Sequence, residues 1–265
     1  MEFFDSHAHY NDEQFDSDRQ QIINKTYEDG ITKFMCAGYS LESSKKALEI
    51  ANSYDFIYTI SGVSPNDVKA TIDETRQDIE KIKELIVNDR KDKKSKIVAI
   101  GEIGLDYYWN KENKEIQKFA FIEQIKLANE LNLPIVIHTR EAILDTINIL
   151  KEYNVNMKGV FHCCPQNVQL VQEALKLGFY ISCAGPYTFK NAKNSEEIIK
   201  LIPDDKLLIE TDSPYLAPEP KRGTRNDSRN VKFIAQKIAD VKGETLEKIA
   251  QKTYENACKI FQIWQ

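Results

Sequence analysis

Short runs of apolar and β-branched residues alternate with longer amphipathic segments along the whole chain. The runs have the length of buried strands, and the longer segments repeat apolar residues at the three- and four-residue spacing of a helix, as in Asn113–Leu131. This alternation predicts parallel strands joined by crossover helices. The predicted strands are Phe3–His7, Thr32–Ala37, Phe56–Gly62, Ile97–Glu102, Ile135–His138, Gly159–Cys163, Phe179–Cys183 and Leu207–Asp212.

The number of predicted strands indicates a TIM-type (β/α)8 barrel, an α/β fold in which residues 1–265 form a single domain. The rival, an open doubly wound sheet, is expected to carry a glycine-rich phosphate turn after its first strand, whereas this strand ends in DSHAHY. Helix starts are predicted at Ser40–Glu42 and Ser64–Asp67. The segment from Thr245 to Trp264 predicts an additional C-terminal helix outside the barrel.

The net charge of −5 argues against a protein that grips duplex DNA over a broad basic face, but not against an enzyme that holds a few phosphates at metal ions. The first residues lack the basic and apolar regions of a signal peptide, and no apolar run is long enough to span a membrane. The five cysteines show no CxxC spacing, which indicates free thiols in a reducing cytosol. We therefore expect a cytoplasmic protein with no membrane association and no obligate protein partner.

All the histidines of the chain fall at the C-terminal ends of predicted strands, the rim at which β/α barrels carry their active sites. Glu102 ends the fourth strand and Asp212 ends the eighth, so the same rim receives two carboxylates. The histidines are His7, His9, His138 and His162. The i, i+2 spacing of His7 and His9 directs both rings to one side of their strand.

Each of these residues alone fits an ordinary structural role. A single histidine is commonly a hydrogen-bonded surface residue, Glu102 alone fits a helix cap, and Asp212 before Ser-Pro fits a turn. Together they predict a metal site, because buried carboxylates and imidazoles are costly unless they are paired or bound to metal. Imidazole and carboxylate ligands suit Zn²⁺, Mn²⁺, Fe²⁺ or Mg²⁺, and six ligands fit two ions bridged by Glu102 better than one tetrahedral ion.

Two further carboxylates, Asp5 and Glu210, precede His7 and Asp212 by two residues, and they are candidates for partners that orient the ligands. Capping of a buried polar layer is the alternative for both. Cys163 and Cys164 follow His162 directly, so a thiolate ligand is a less favoured alternative for the metal site.

The segments DSHAHY, GEIGLDYYW, LPIVIHTREA, VFHC and IETDSPYLAP followed by RGTRN resemble the TatD-type metal-dependent deoxyribonucleases of the amidohydrolase superfamily, in order from Phe4 to about Asn226. The resemblance implies a TIM barrel, one or two divalent ions, and hydrolysis of phosphodiester bonds, typically 3′→5′ on single-stranded DNA or RNA. It implies Asp212 and Glu102 as catalytic residues, with Asp212 both a ligand and the proton acceptor for the attacking water. The implied metal ligands are His7, His9, Glu102, His138, His162 and Asp212.

The chain departs from the family pattern at two places. The third strand of such enzymes usually ends in a GVHP-like motif, and here Ser64 stands in place of the histidine that lies near the substrate phosphate. After RGTRN the family tends to show Glu-Pro, whereas this chain has Asp227-Ser228. The first departure bears on phosphate contact and substrate choice.

Substrate contacts are expected from aromatic and basic residues that follow strands four and eight. Tyr107, with Tyr108 and Trp109 beside it, is predicted to stack on nucleobases, although ordinary loop packing accounts for these rings equally well. Lys221, Arg222 and Arg225 form a basic cluster that fits phosphate binding. The predicted substrate-binding residues are Ser64, Tyr107, Arg222 and Arg225.

Two other functions remain open at this stage. Related barrels with an HxH opening cleave small amides, lactones or esters, so a metallo-amidohydrolase is the main alternative to a deoxyribonuclease. A non-catalytic scaffold that keeps its ligands by descent is the other, which the complete ligand set disfavours. Rim aromatics and the RGTRN loop favour nucleic acid, preferentially single-stranded DNA, as the substrate.

Overall fold

The computed structural model describes residues 1–263 of the chain. Within that range, eight parallel strands form one sheet in chain order and alternate with helices. The strands are β1 (Phe3–Ala8), β2 (Ile31–Ala37), β3 (Ile57–Ser61), β4 (Ile97–Asp106), β5 (Ile135–Arg140), β6 (Gly159–Phe161), β7 (Tyr180–Cys183) and β8 (Leu207–Ile209). The structure thus confirms the predicted (β/α)8 barrel.

The first and last strands meet at the rim and bring distant parts of the chain together. Ala8 forms a parallel bridge with Ser213, and the N–H of His9 donates to the carbonyl of Ser213 at 2.7 Å. One step below, the N–H of Asp212 donates to the carbonyl of His7 at 2.9 Å. The backbone of His7 is thereby joined directly to that of Asp212, and the backbone of His9 to that of the next residue, Ser213.

The helices that the structure describes cover the outer face of the sheet. They are α1 (Arg19–Glu28), α2 (Leu41–Asn52), α3 (Ile72–Asp89), α4 (Lys114–Leu131), α5 (Ile143–Glu152), α6 (Val168–Lys176), α7 (Ser195–Leu201), α8 (Val231–Lys242) and α9 (Leu246–Ile260). None of them combines the length and the apolar character that crossing a bilayer demands.

One predicted helix start is confirmed and the other is wrong. Ser40 caps α2, where its side chain accepts a hydrogen bond from the N–H of Ser43. Ser64–Asp67 instead forms a turn in which the Ser64 hydroxyl donates to Asp67 at 2.6 Å. The next helix begins only at Ile72, because Thr71 supplies its N-cap.

The predicted C-terminal helix is confirmed as α9, which begins after its cap Thr245 and ends at Ile260. Trp264, the predicted last residue, lies outside the described residues. Phe4 packs against the rings of Tyr254 and Phe261. The inward-facing apolar residues of the strands, including Met35, Ile60, Val136 and Leu208, form one buried cluster with the end of α9. That helix therefore closes the barrel end opposite the rim that carries the histidines.

Candidate metal centre

The six side chains that the sequence predicts as metal ligands lie together at the C-terminal rim of the barrel. Their potential ligand atoms form overlapping groups of three, and within each group the atoms lie within 4.8 Å of one another. The groups are His7, His162 and Asp212; His7, His9 and Glu102; and Glu102, His138 and His162. Within residues 1–263 these groups contain imidazoles and carboxylates but no thiol, so the cysteine alternative has no geometric support.

Glu102 lies between two pairs of imidazoles. Its Oε1 is 2.9 Å from His138 Nδ1 and 3.2 Å from His162 Nε2. Its Oε2 is 3.5 Å from His7 Nε2 and 3.9 Å from His9 Nε2. One carboxylate therefore offers one oxygen to each pair of imidazoles.

Asp212 completes the side of the site that carries the HxH motif. Its Oδ1 lies 3.2 Å from His9 Nε2 and 3.8 Å from His7 Nε2. The two histidine Nε2 atoms are themselves only 3.2 Å apart. Because Asp212 follows β8 and the histidines end β1, the backbone closure of the barrel sets these distances.

Two histidines have their ring orientation fixed by hydrogen bonds on the side away from the centre. His9 Nδ1 lies 3.1 Å from the carbonyl oxygen of Ala37, and His138 Nε2 lies 2.9 Å from Asp106 Oδ2. A carbonyl or carboxylate oxygen accepts the hydrogen, so these ring nitrogens carry it. The opposite nitrogens, His9 Nε2 and His138 Nδ1, therefore point toward the centre, where their lone pairs become available to a metal ion once these nitrogens are unprotonated.

Of the two carboxylates proposed as orienting partners, one contacts a predicted ligand ring and the other does not. Glu210 Oε1 lies 3.3 Å from His162 Nδ1, so it holds that ring with Nε2 toward the centre. Asp5 instead accepts hydrogen bonds from the backbone N–H and the hydroxyl of Thr211. Asp5 thus stabilises the junction of β1 with the segment after β8.

The buried groups shift one another's proton affinity. Burial alone would raise the pKa of Glu102, but the neighbouring His162 and His138 hold it well below its usual value. Burial alone would lower the pKa of His162, but Glu102 and Glu210 hold it well above its usual value. His7 has a lowered pKa because it is fully buried and lies beside His162. The anionic carboxylates therefore require positive charge between them, which either protons or metal ions supply.

This donor set fits divalent metal ions. One nitrogen of each of His9, His138 and His162 faces a carboxylate oxygen while the other nitrogen is held by a hydrogen-bond partner, which is the arrangement of metal-bound histidines with orienting partners. Glu102 would be able to offer one carboxylate oxygen to each of two ions. Imidazole and carboxylate donors suit Zn²⁺, Mn²⁺ or Fe²⁺, and Mg²⁺ where more oxygen ligands take part.

Ser64 lies close to the centre but its hydroxyl is already used. It is buried, its Oγ donates to Asp67 Oδ2 at 2.6 Å, and it accepts from the N–H of Asn66 at 3.2 Å. Asp67 has a raised pKa, because it is buried and because it lies near Glu102. Phosphate contact by Ser64 therefore remains a prediction.

The three aromatic residues after Glu102 occupy different environments. Tyr107 is buried, and its hydroxyl donates to Asp145 at 2.7 Å. Tyr108 and Trp109 are exposed by 43% and 67%, so they offer ring faces to a ligand and Tyr107 does not. Sequence alone did not separate the three residues, because the side to which each ring turns depends on the course of the chain after β4.

The two predicted basic contacts also differ. Arg225 forms an ion pair with Asp18 through both terminal nitrogens and donates to the carbonyl of Gln14, which ties the loop after β8 to the start of α1. Arg222 is exposed and its guanidinium lies 4.2 Å from the ring centre of Phe189. Arg222 is therefore freer than Arg225 to meet a phosphate.

Two residues of the rim were not singled out from the sequence. Asp106 holds His138, and Arg140 ends the strand β5 that carries His138. Both stand two or four residues beyond a predicted ligand, within the motifs GEIGLD and VIHTR. Their i, i+2 or i, i+4 spacing from Glu102 and His138 was the available signal.

Comparison with known proteins gives relatives along the whole barrel. The family described as TatD related DNase matches residues 4–262. The uncharacterized metal-dependent hydrolase YabD of Bacillus subtilis is 44% identical over 98% of this chain and 99% of its own length. The uncharacterized metal-dependent hydrolase YcfH of Escherichia coli K12 is 34% identical over 99% of this chain and 97% of its own length.

Solved structures show the same fold. YJJV, a TatD homolog from Escherichia coli K12, superposes with a TM-score of 0.91 at 24% identity and covers 99% of this chain and 98% of its own. A mutant organophosphorus hydrolase superposes with a TM-score of 0.72 at 13% identity, over 98% of this chain and 92% of its own. The family match and the identity to the curated relatives together show that the chain belongs to the family of TatD related DNases.

Proposed function

We propose that this protein is a metal-dependent hydrolase that cleaves phosphodiester bonds of DNA, removing nucleotides from the 3′ end of single strands. The position of Glu102 between two imidazole pairs carries the proposal, because it fits two divalent ions a short distance apart. Such a pair is suited to phosphodiester hydrolysis, in which both the attacking and the leaving oxygen need positive charge. The names of the relatives as metal-dependent hydrolases and of the family as DNases agree with it.

The proposed ligands are the same six residues that the sequence indicates. Bound divalent ions would lower the pKa of water and neutralise charge on the phosphate. Asp106, Ala37 and Glu210 hold His138, His9 and His162 with one lone pair each toward the centre. These outer hydrogen bonds keep the donor set in place before a substrate arrives.

We assign the proton transfer to Asp212. Burial alone would raise the pKa of Asp212, but His9 and His7 lower it, so the group is an anion at neutral pH and is able to accept a proton from the attacking water. The side chain of Asp212 is 15% exposed and that of His138 is 21% exposed, whereas that of His7 is not exposed at all. Substrate therefore approaches from the side of Asp212 and His138.

Asp212→Ala and Glu102→Ala test the proposal. Purified protein supplied with Mn²⁺, Mg²⁺ or Zn²⁺ should shorten a 5′-labelled single-stranded oligonucleotide stepwise and act more slowly on duplex. Either substitution should reduce the rate by roughly 10³-fold or more, because it removes a ligand together with a charged catalytic group. Glu196→Ala, which removes a surface carboxylate paired with Lys237, is the control and should keep full activity.

The same preparations should be assayed on small cyclic amides, lactones and phosphate-free esters. Turnover of one of these with no cleavage of any oligonucleotide would replace the nuclease proposal by a metallo-amidohydrolase. Internal cuts at equal rates in single strand and duplex would retain the hydrolase and overturn the exonuclease assignment.

A further inference from the structure

Two exposed aromatic rings lie beside the metal centre, in the loop that follows β4. Tyr108 and Trp109 pack edge to face with ring centres 4.8 Å apart. Two exposed rings side by side form an apolar surface, which marks a binding site more readily than a single exposed ring does. Their location at the catalytic rim indicates a ligand.

A guanidinium group covers the same rings. The Cζ atom of Arg140 lies 3.8 Å from the ring centre of Tyr108 and 5.5 Å from that of Trp109. Ion pairs of other arginines within residues 1–263 involve Arg19, Arg225 and Arg229, and none involves Arg140. An arginine stacked by its flat face keeps its N–H edges available for a phosphate. The charge of Arg140 is thus held in place without being neutralised by a carboxylate.

Asp106 joins this group to the metal centre. Its Oδ1 accepts the N–H groups of Tyr108 and Trp109 at 2.9 and 3.0 Å, and its Oδ2 meets His138 Nε2 at 2.9 Å. Asp106 is paired with Arg140 across β4 and β5. Arg140 lies two residues beyond His138, about 7 Å farther along the strand. That distance is comparable to the spacing of neighbouring phosphates in an extended single strand.

We propose that Tyr108, Trp109 and Arg140 form the binding subsite for the nucleotide next to the scissile bond. The base stacks on the exposed ring of Trp109. The ring of Tyr108 holds the Arg140 guanidinium in place, and the guanidinium N–H groups donate hydrogen bonds to the adjoining phosphate. A flat apolar face beside an unneutralised cation matches the two halves of a nucleotide, its base and its phosphate. The inference rests on the proposed function and names the residues that hold its substrate.

The experiment measures kcat and KM of metal-loaded Trp109→Ala and Arg140→Ala on a single-stranded oligothymidylate. Loss of base stacking should raise KM by about 10-fold for Trp109→Ala, with a smaller change in kcat. The same oligonucleotide with an abasic residue next to the scissile bond should be cut equally by wild type and Trp109→Ala, because the lost partner is already absent.

Binding gives a second readout that separates stacking from charge. The dissociation constant of a fluorescein-labelled oligothymidylate is followed by anisotropy as a function of salt. Arg140→Ala should reduce the slope of log Kd against log salt by about 0.7, the value for one phosphate contact on a single strand, whereas Trp109→Ala should weaken binding and keep the slope. Thermal unfolding checks that both variants remain folded.

Matched controls are present elsewhere on the barrel. Tyr27 is an aromatic residue, 47% exposed, that precedes β2 at the opposite end, and Arg76 lies 5.0 Å from the ring centre of Phe119 on the outer helices. Tyr27→Ala and Arg76→Ala should leave KM, Kd and the salt slope unchanged.

The outcomes distinguish the subsite from the nuclease proposal. If wild type cuts the oligonucleotide and both rim variants match it in KM and Kd, the subsite is wrong and the function stands. If wild type binds but does not cut, and the rim variants bind more weakly, the subsite stands and the function fails. Absence of both binding and cleavage by wild type overturns both.

Discussion

At the scale of single residues, Asp106 sets the orientation of the His138 ring relative to the metal centre. The hydrogen bond from His138 outweighs burial and lowers the pKa of Asp106 to about 2, so the carboxylate is an anion throughout the physiological range. It also accepts a hydrogen bond from Asn66 Nδ2 at 3.3 Å. A charged acceptor behind the ring makes the inner nitrogen Nδ1 a stronger donor to a metal ion.

Asp106→Asn should therefore weaken metal binding by about 10- to 100-fold, measured by calorimetric titration with Zn²⁺. Asparagine offers a single acceptor oxygen, so either His138 or the N–H groups of Tyr108 and Trp109 lose their partner. Asp145→Asn is the matched control, since Asp145 accepts from Tyr107 in the same region without touching a predicted ligand. Equal Zn²⁺ affinity in wild type and Asp106→Asn would show that Asp106 does not orient His138.

The sequence was informative about ligand types and less so about contacts around them. Glu102 and His138 were predicted because each is a polar side chain at the end of an apolar strand, where a barrel gathers its functional groups. The orientation of Tyr107 toward Asp145, and the pairing of Arg225 with Asp18, depend on loops whose course no residue pattern specifies. The metal-ligand roles themselves remain predictions.

At the scale of elements, β4 is the strand that departs most from its predicted bounds. It continues to Asp106 rather than ending at Glu102, and its pairing with β5 shifts in register between Ile100 and Ile103. Such an irregularity re-aims the side chains around it, here Glu102, which stands between the two shifted positions. Gly104 follows with φ of +138°, a conformation that residues with a side chain rarely adopt.

Gly104→Ala should disrupt this geometry. A Cβ atom there would clash with the carbonyl oxygen of His138, so the backbone of β5 has to move. The unfavourable φ alone costs about 1–3 kcal/mol, and the contact adds to it. Thermal unfolding should show a lower Tm, and Zn²⁺ titration should show weaker metal binding.

Gly243→Ala provides the comparison for that change. Gly243 also has a positive φ, +67°, but no atom lies within 4 Å of its added Cβ, so its substitution should cost only about 1–2 kcal/mol and keep metal affinity. If Gly104→Ala were as stable as Gly243→Ala and bound Zn²⁺ as tightly, the close contact between Gly104 and the His138 carbonyl would not have the role assigned to it.

The wrong helix start shows a limit of local patterns. Ser64–Asp67 has the composition of an N-terminus, but its hydroxyl and carboxylate bond to each other within a turn. The true start has the pattern Thr71-x-x-Glu74, in which the Thr71 hydroxyl donates to Glu74 and accepts its N–H. Both segments satisfy the same sequence rule, so the rule alone does not select between them.

At the scale of the whole molecule, the barrel converts distant positions into neighbours. His7 and Asp212 are at opposite ends of the sheet order, and closure brings the N–H of Asp212 to 2.9 Å from the carbonyl oxygen of His7. This convergence was predictable because all parallel strands of a barrel end at one rim. That residues 1–265 form a single domain stays a prediction.

Charge balance at this rim makes stability depend on metal and pH together. Burial alone would lower the pKa of His138 and of His9. The hydrogen bond that His138 donates to Asp106, and the one that His9 donates to Asp212, help to raise the pKa of each ring instead. When no ion is bound, these two imidazoles and that of His162 therefore bind a proton more tightly than a free imidazole does. Their contribution to stability is present below the unfolded pKa near 6.5 and is lost as pH rises through the raised folded values.

Metal loading should therefore raise the Tm, and the difference between loaded and chelated protein should widen from about pH 6 to about pH 8. A divalent ion must displace the imidazole protons, so each proton displaced adds about 1.4 kcal/mol of metal-linked stability per pH unit. The stability that the chelated protein loses as its imidazoles deprotonate is already contained in this slope. Scanning calorimetry at fixed free Mn²⁺ measures the difference, with the Glu102→Ala, Asp212→Ala double variant as a control that should show little shift. A metal-induced change in Tm that stays constant across this range would mean that the imidazoles around Glu102 are neutral before the ion binds.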